Sequence, residues 1–261
     1  MSTRSLKKLA LLLTFWIALH ASSLRAQILN PAGTSPVFVE ISNSGQLVDA
    51  GSNSTSDTLL KTGAGTRMVW FPYKSAFRAG TVSGSQWDAS NMGVNSIALG
   101  YNTTASNWGS MAFGMGTTAS GWYSTASGYY NTAIGTWSTA FGAGTLAYGF
   151  FSTTFGENTT ANGWGSTALG ISTTANGDYS TASGSNTTAS AYAEFVVGRY
   201  NDTTGTSSSS SWISTDPLFE VGNGTSGTHS NAFVVYKNGN GALEGSLQVG
   251  AGGDIPMFSG Y

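Results

Sequence analysis

The 261-residue chain has no cysteine. That excludes a disulfide framework, a thiolate metal site and a cysteine nucleophile, and it leaves the redox compartment open. Charge is scarce as well. Asp, Glu, Lys and Arg make up 8% of the residues, against about 25% in an ordinary globular domain. There are two histidines, His20 and His229. His229 lies in the Gly/Ser-rich "GTSGTHSN" and reads as a solvated loop residue, since a catalytic histidine needs a positioned partner. Neither a G-x-S-x-G elbow nor an H-E-x-x-H pair occurs. "GAGGD" near Gly253 does not recur, so no calcium roll is expected. No metal and no cofactor are expected.

Long apolar runs are missing too, with one exception. "LALLLTFWIAL" follows the basic start "MSTRSLKK" and has the length of a signal-peptide core, too short to span a bilayer comfortably. Residues 1–26 are expected to be a secretory signal cut near Ala26, with an uncleaved anchor as the alternative. Four of the ten basic residues (Arg4, Lys7, Lys8, Arg25) fall in that segment and none of the twelve acidic ones. The remainder carries six basic and twelve acidic side chains, a net charge of −6. Nucleic acid is therefore not expected as a partner, because phosphate binding needs a basic stripe. Membrane insertion after signal removal is not expected either.

What the chain has in excess is glycine, 36 residues, and a repeat. Fourteen-residue units begin at Asn95, Gly109, Tyr123, Trp137, Phe151, Gly165 and Tyr179, and a partial unit begins at Ala193. The sixth residue is always glycine: Gly100, Gly114, Gly128, Gly142, Gly156, Gly170, Gly184 and Gly198. The second is Ser from Ser96 to Ser180, and the eleventh is Ala from Ala105 to Ala189. Fourteen residues are too few for a helix pair or a propeller blade, but they suffice for one coil of a β-solenoid with two short strands and two turns. Gly, Ser, Thr and Asn at this density disfavour helix. Strand alternation puts positions 4 and 6 (Ala98, Gly100) on one face and position 5 (Leu99, Phe113, Phe141, Phe155, Leu169, Val197) on the other. Parity alone does not say which face points inward. Two apolar faces and one interior predict association with copies of the same chain.

The forms "NSIALGYNTTAS", "GSTALGISTTAN" and "YSTASGSNTTAS" resemble the head repeat of YadA-like trimeric autotransporter adhesins. The resemblance covers about Asn95 to Tyr200. It implies an all-β, left-handed parallel β-roll of 14-residue repeats, three chains side by side as a homotrimer. The expected organisation is a signal over 1–26, an N-terminal β capping region over 27–91, head repeats over 92–200, a polar linker over 201–211 and a C-terminal β-hairpin region over 212–261. Neither a heptad stalk nor the amphipathic strands of a membrane barrel follow, a departure from that family.

"TRMVWFPYKSAFRAG" (Thr66 to Gly80) reads as a cap over the first rung, or as an aromatic patch with Lys74 and Arg78. The unit junctions carry a ladder of aromatics: Trp108, Trp122, Tyr123, Trp137, Phe150, Phe151, Trp164 and Tyr179. These are candidate ligand-binding residues for a surface glycan or a host or matrix protein, or they pack between chains. The Thr-Thr pairs, Thr103–Thr104 through Thr187–Thr188, raise ice binding. Adjacent threonines, however, point to opposite faces of a strand. Glycan hydrolysis needs paired carboxylates, and the repeats hold only Glu157 and Asp178. Convergence of two among Asp216, Glu220 and Glu244 would favour that reading. The expected function is non-enzymatic: an exported adhesin-like protein at the cell surface or secreted, with outer-membrane association left open. A structural spacer of a surface or fibre assembly is the alternative.

Overall fold

The computed structural model describes residues 62–244 and four two-residue strands nearer the N-terminus. The chain divides into two compact units, 1–53 and 54–261. In the first, Gln27–Ile28 pairs antiparallel with Val37–Phe38, and Glu40–Ile41 with Leu47–Val48. The expected signal, the rest of 27–61 and the final segment 245–261 lie outside the described residues.

In the second unit each 14-residue repeat forms one coil. Positions 3–7 are a five-residue strand, such as Ile97–Tyr101, and positions 10–11 a two-residue strand, such as Thr104–Ala105. Successive coils pair in parallel with no offset, Ile97 opposite Met111 through Tyr101 opposite Met115, and the same holds through the roll. The short strands make a seven-stranded sheet. This is the expected parallel β-solenoid, of about seven turns.

Three backbone breaks per coil bend the chain. Position 1 has positive φ throughout (Asn95 55°, Trp137 57°, Tyr179 59°), and so does position 8 (Asn102 51°, Tyr130 51°, Asn158 51°). Position 6 is glycine for two reasons. At Gly142 φ is +130°, and a Cβ there would lie 1.9 Å from the carbonyl oxygen of Gly156 in the next coil. These breaks also decide which face is inside, which parity could not. Positions 2, 4, 9 and 11 point into the lumen and are fully buried, as Ser96, Ala98, Thr103 and Ala105 show. The expected sharing of a face by positions 4 and 6 fails, because a side chain at position 6 would aim along the rod at the next coil. The Leu/Phe column at position 5 is outside, and Phe141 and Phe155 are half-exposed.

Both ends continue the long-strand sheet, which has thirteen strands. On the N-terminal side, Gly65–Phe71 and Ala76–Val82 form an antiparallel hairpin around the 3-10 turn Pro72–Lys74. Ala76–Val82 then runs parallel to Ile97–Tyr101, with Gly80 opposite Gly100. Phe71, Ala76, Val82, Trp87 and Met92 form its core. Met68, Trp70 and Tyr73, read as cap or patch, are exposed. At the other end Pro217–Asn223 runs parallel to Phe195–Arg199, with Gly222 opposite Gly198. Asn231–Tyr236 and Gly241–Leu243 complete an antiparallel meander. The stretch 201–211 is tied to the roll: the Ser208 and Ser209 carbonyls accept from Tyr192 N (2.8 Å) and Asp178 N (2.7 Å).

Candidate functional site

The junction aromatics sit at positions 14 and 1, on the corner between coils. Left-handed backbone at position 1 turns those side chains outward. All eight candidates, Trp108 to Tyr179, are between 47% and 54% exposed. The structure stacks several of them. Tyr123 lies against Trp137 (6.1 Å between ring centres, 6° between planes) and Trp137 against Phe151 (4.9 Å, 7°). A second file runs Phe150–Trp164–Tyr179, with centres 6.2 and 6.4 Å apart. Gly109 makes room for this ladder, since a Cβ there would come within 2.5 Å of the Tyr123 ring. Rings stacked coil on coil cover one another's faces and offer edges to solvent. That geometry suits edge contacts and hydrogen bonds from Trp and Tyr more than the stacking of a sugar on a ring face.

The outer face of the long strands, positions 3, 5 and 7, is a second surface. Its charged residues are Glu157 and Arg199, at two coils. The rest is Thr, Ser, Ala and large apolar side chains, including exposed Tyr101, Met115, Tyr129 and Ile171. Phe141 and Phe155 stack at 5.2 Å, and Phe195 and Phe219 at 5.8 Å. Large apolar side chains recur on this face in most coils, the coil at 179–192 with Thr181, Ser183 and Ser185 being an exception, and such recurring exposure points to a partner surface. On the short-strand face each Thr-Thr pair splits as alternation requires, Thr103 buried and Thr104 outward. A single outward threonine file results, broken by Leu146. Glu157 and Asp178 lie apart, on the long-strand face and at the corner.

The C-terminal end holds a cavity of about 300 Å³. Asp216, Glu220 and Glu244 converge on it, joined by Glu194 and Asp202. Glu194 and Glu220 are buried. Glu194 Oε2 accepts from Ala191 N (2.7 Å), and Glu220 Oε2 accepts from Asn201 Nδ2 (2.6 Å). Burial pushes the Glu194 carboxyl up to about 8, and burial also raises Glu220. Asn201 acts as a piece of missing coil: its amide exchanges bonds with Thr188 N (2.8 Å) and Thr188 O (3.0 Å). His229 is exposed, with Nδ1 3.0 Å from Asn201 O. Among the described residues no group of three or more His, Cys, Asp or Glu is placed to hold a metal ion. Sequence reasoning missed Glu194, which occupies the serine position of the partial unit, and the buried Trp87, whose Nε1 donates to Thr103 O (2.9 Å).

Residues 93–117, 109–131, 126–152 and 161–187 match the YadA head domain repeat. No curated protein matches the chain. The segment 93–187 therefore carries YadA-like head repeats, which gives the chain a general likeness to surface-exposed adhesins. The two ends of the roll fall outside the matched residues.

Proposed function

We propose that this chain is an exported adhesin-like head protein that works as a homotrimer of left-handed rolls. It acts outside the cell, at its surface or secreted, as a binding protein; the convergence of Asp216, Glu220 and Glu244 on the C-terminal cavity favours glycan hydrolysis as the second reading. The observation that carries this reading is the outer face of the long strands, nearly uncharged and lined with exposed Phe, Leu, Met, Ile and Tyr. Three copies bury that face against one another. The aromatic corners and the short-strand face then remain outside for a host or matrix protein or a surface glycan. Each coil repeats the same corner, so affinity comes from many weak contacts along the rod.

Sedimentation equilibrium on residues 27–261 tests the assembly. The expected mass is that of three chains, and it falls to one on heating. A stable monomer at micromolar concentration overturns the trimer and leaves a single roll with its apolar face in water.

A further inference from the structure

Asp216 immediately precedes the strand Pro217–Asn223, and Lys237 immediately follows its antiparallel partner Asn231–Tyr236, with Pro217 opposite Tyr236. A backbone bond from Lys237 N to Asp216 O (3.0 Å) pins the two residues together. Their side chains are withdrawn from water, 0% exposed for Lys237 and 4% for Asp216. Lys237 Nζ lies 3.7 Å from Asp216 Oδ2 and has no hydrogen-bond partner among the described residues. The Trp212 ring lies beside it, with the centre 5.3 Å away, and the Glu194 carboxyl is near enough to feel its charge. Asp216 Oδ2 in turn accepts from Ser208 N (3.0 Å), which fixes the carboxylate. A buried ammonium without hydrogen bonds is a costly arrangement for an ion pair, because Coulomb attraction alone poorly replaces hydration.

We infer that Lys237 and Asp216 are the two halves of an intramolecular isopeptide bond that clips the C-terminal meander shut. A proton passes from Nζ to the carboxylate, giving an amine and a carboxylic acid. The Nζ lone pair forms an N–C bond at Cγ, and one Cγ–O bond breaks. The oxygen leaves as water, carrying two protons that began on Nζ. An ammonium and a carboxylate become one neutral amide and one water, and no oxidant or outside reagent is needed. Withdrawal of both side chains from water favours the neutral product over the charged pair. Glu194 lines the same cavity as Asp216. Its carboxyl stays protonated up to about pH 8, so a neutral acid is at hand to relay protons. In a chain without cysteine this bond is a covalent closure of the loop between residues 216 and 237.

The intact mass of the purified full chain tests this directly. Lys237 is the only Lys or Arg after Arg199, so trypsin on the denatured chain reads the same point. The expected chain is lighter than its sequence by one water, and trypsin leaves 200–261 as one piece because an acylated lysine is not cut. Asp216→Ala and Lys237→Arg are expected at full mass, with cleavage after residue 237 in both. A wild-type chain at full mass that is cut after Lys237 overturns the inference. So does a loss of water that persists in Lys237→Arg.

Discussion

Between Asn95 and Tyr192 the lumen holds Ala, Ser, Thr and a single Asn, Asn131. At the two ends the same columns hold charge. The column of Ala98, Ala112 and their successors begins with Arg78 and closes with Val196 and then Glu220. The serine column closes with Glu194. In the body each coil finds its backbone partners in the coils above and below, so the lumen needs only to be filled. At the ends the long strands stay paired, but the short-strand sheet stops at Thr104–Ala105 and Thr188–Ala189, and a side chain must supply what the missing short strand would. Arg78 donates to the carbonyls of Phe77 (2.8 Å), Ser96 (2.9 Å) and Ala105 (2.8 Å). The cost is desolvation, which pulls the Arg78 guanidinium down to about 10 and pushes Glu194 up to about 8.

Substitutions in the body that touch the stacking itself will have the largest effect. Gly142→Ala adds a Cβ 1.9 Å from Gly156 O at a φ of +130°. The expected loss is about 4 kcal/mol from strain and overpacking together, read as a large fall in thermal midpoint by circular dichroism. Gly227→Ala, with nothing within 4 Å, is the control. It is expected to stay within about 0.5 kcal/mol of wild type.

The C-terminal end is expected to lose stability as pH rises, because its buried carboxyls are displaced from their ordinary range. Glu194 binds its proton more tightly folded than unfolded, so its contribution is full below its ordinary value of 4.5 and is lost as pH rises through about 8. Glu220 shifts in the same direction, chiefly through burial and to a smaller degree through Asp202. Amide exchange should show residues 194–236 losing protection between pH 5 and pH 9, after correction for intrinsic rates, while 139–171 keeps it. Equal protection at both ends of that range, or equal loss in both segments, breaks the comparison. The smallest effect belongs to the corner. Trp137→Ala removes a ring held between Tyr123 and Phe151 and is expected to cost ~1 kcal/mol, measured by urea unfolding.

The coil, its period and the glycine column are legible in residues 95–198, because one coil's requirements are imposed again at each rung. Which face points inward is not, since positive φ at positions 1, 6 and 8 interrupts the alternation on which parity reasoning depends. The ends are legible only in fragments. "FRAGT" at 77–81 and "FEVGN" at 219–223 are rungs of the same sheet, and each keeps the glycine in register. Their Arg and Glu in the alanine column hide them from a search for small residues. The acidic cavity could not be read from spacing, because Glu194 and Glu244 come together through a parallel pairing followed by a meander. The aromatic ladder was visible as a list of positions. Its face-to-face stacking depends on the absence of offset between coils.

That absence of offset frees the rod from any particular length. Each coil meets only the one before and the one after, in a register that never drifts, while the special residues sit at Arg78 and beyond Ala193. Each whole unit added or removed would change the rod by one rung of about 4.8 Å and leave the capping residues at both ends in place. Reach is then a quantity that changes in single steps of one 14-residue unit.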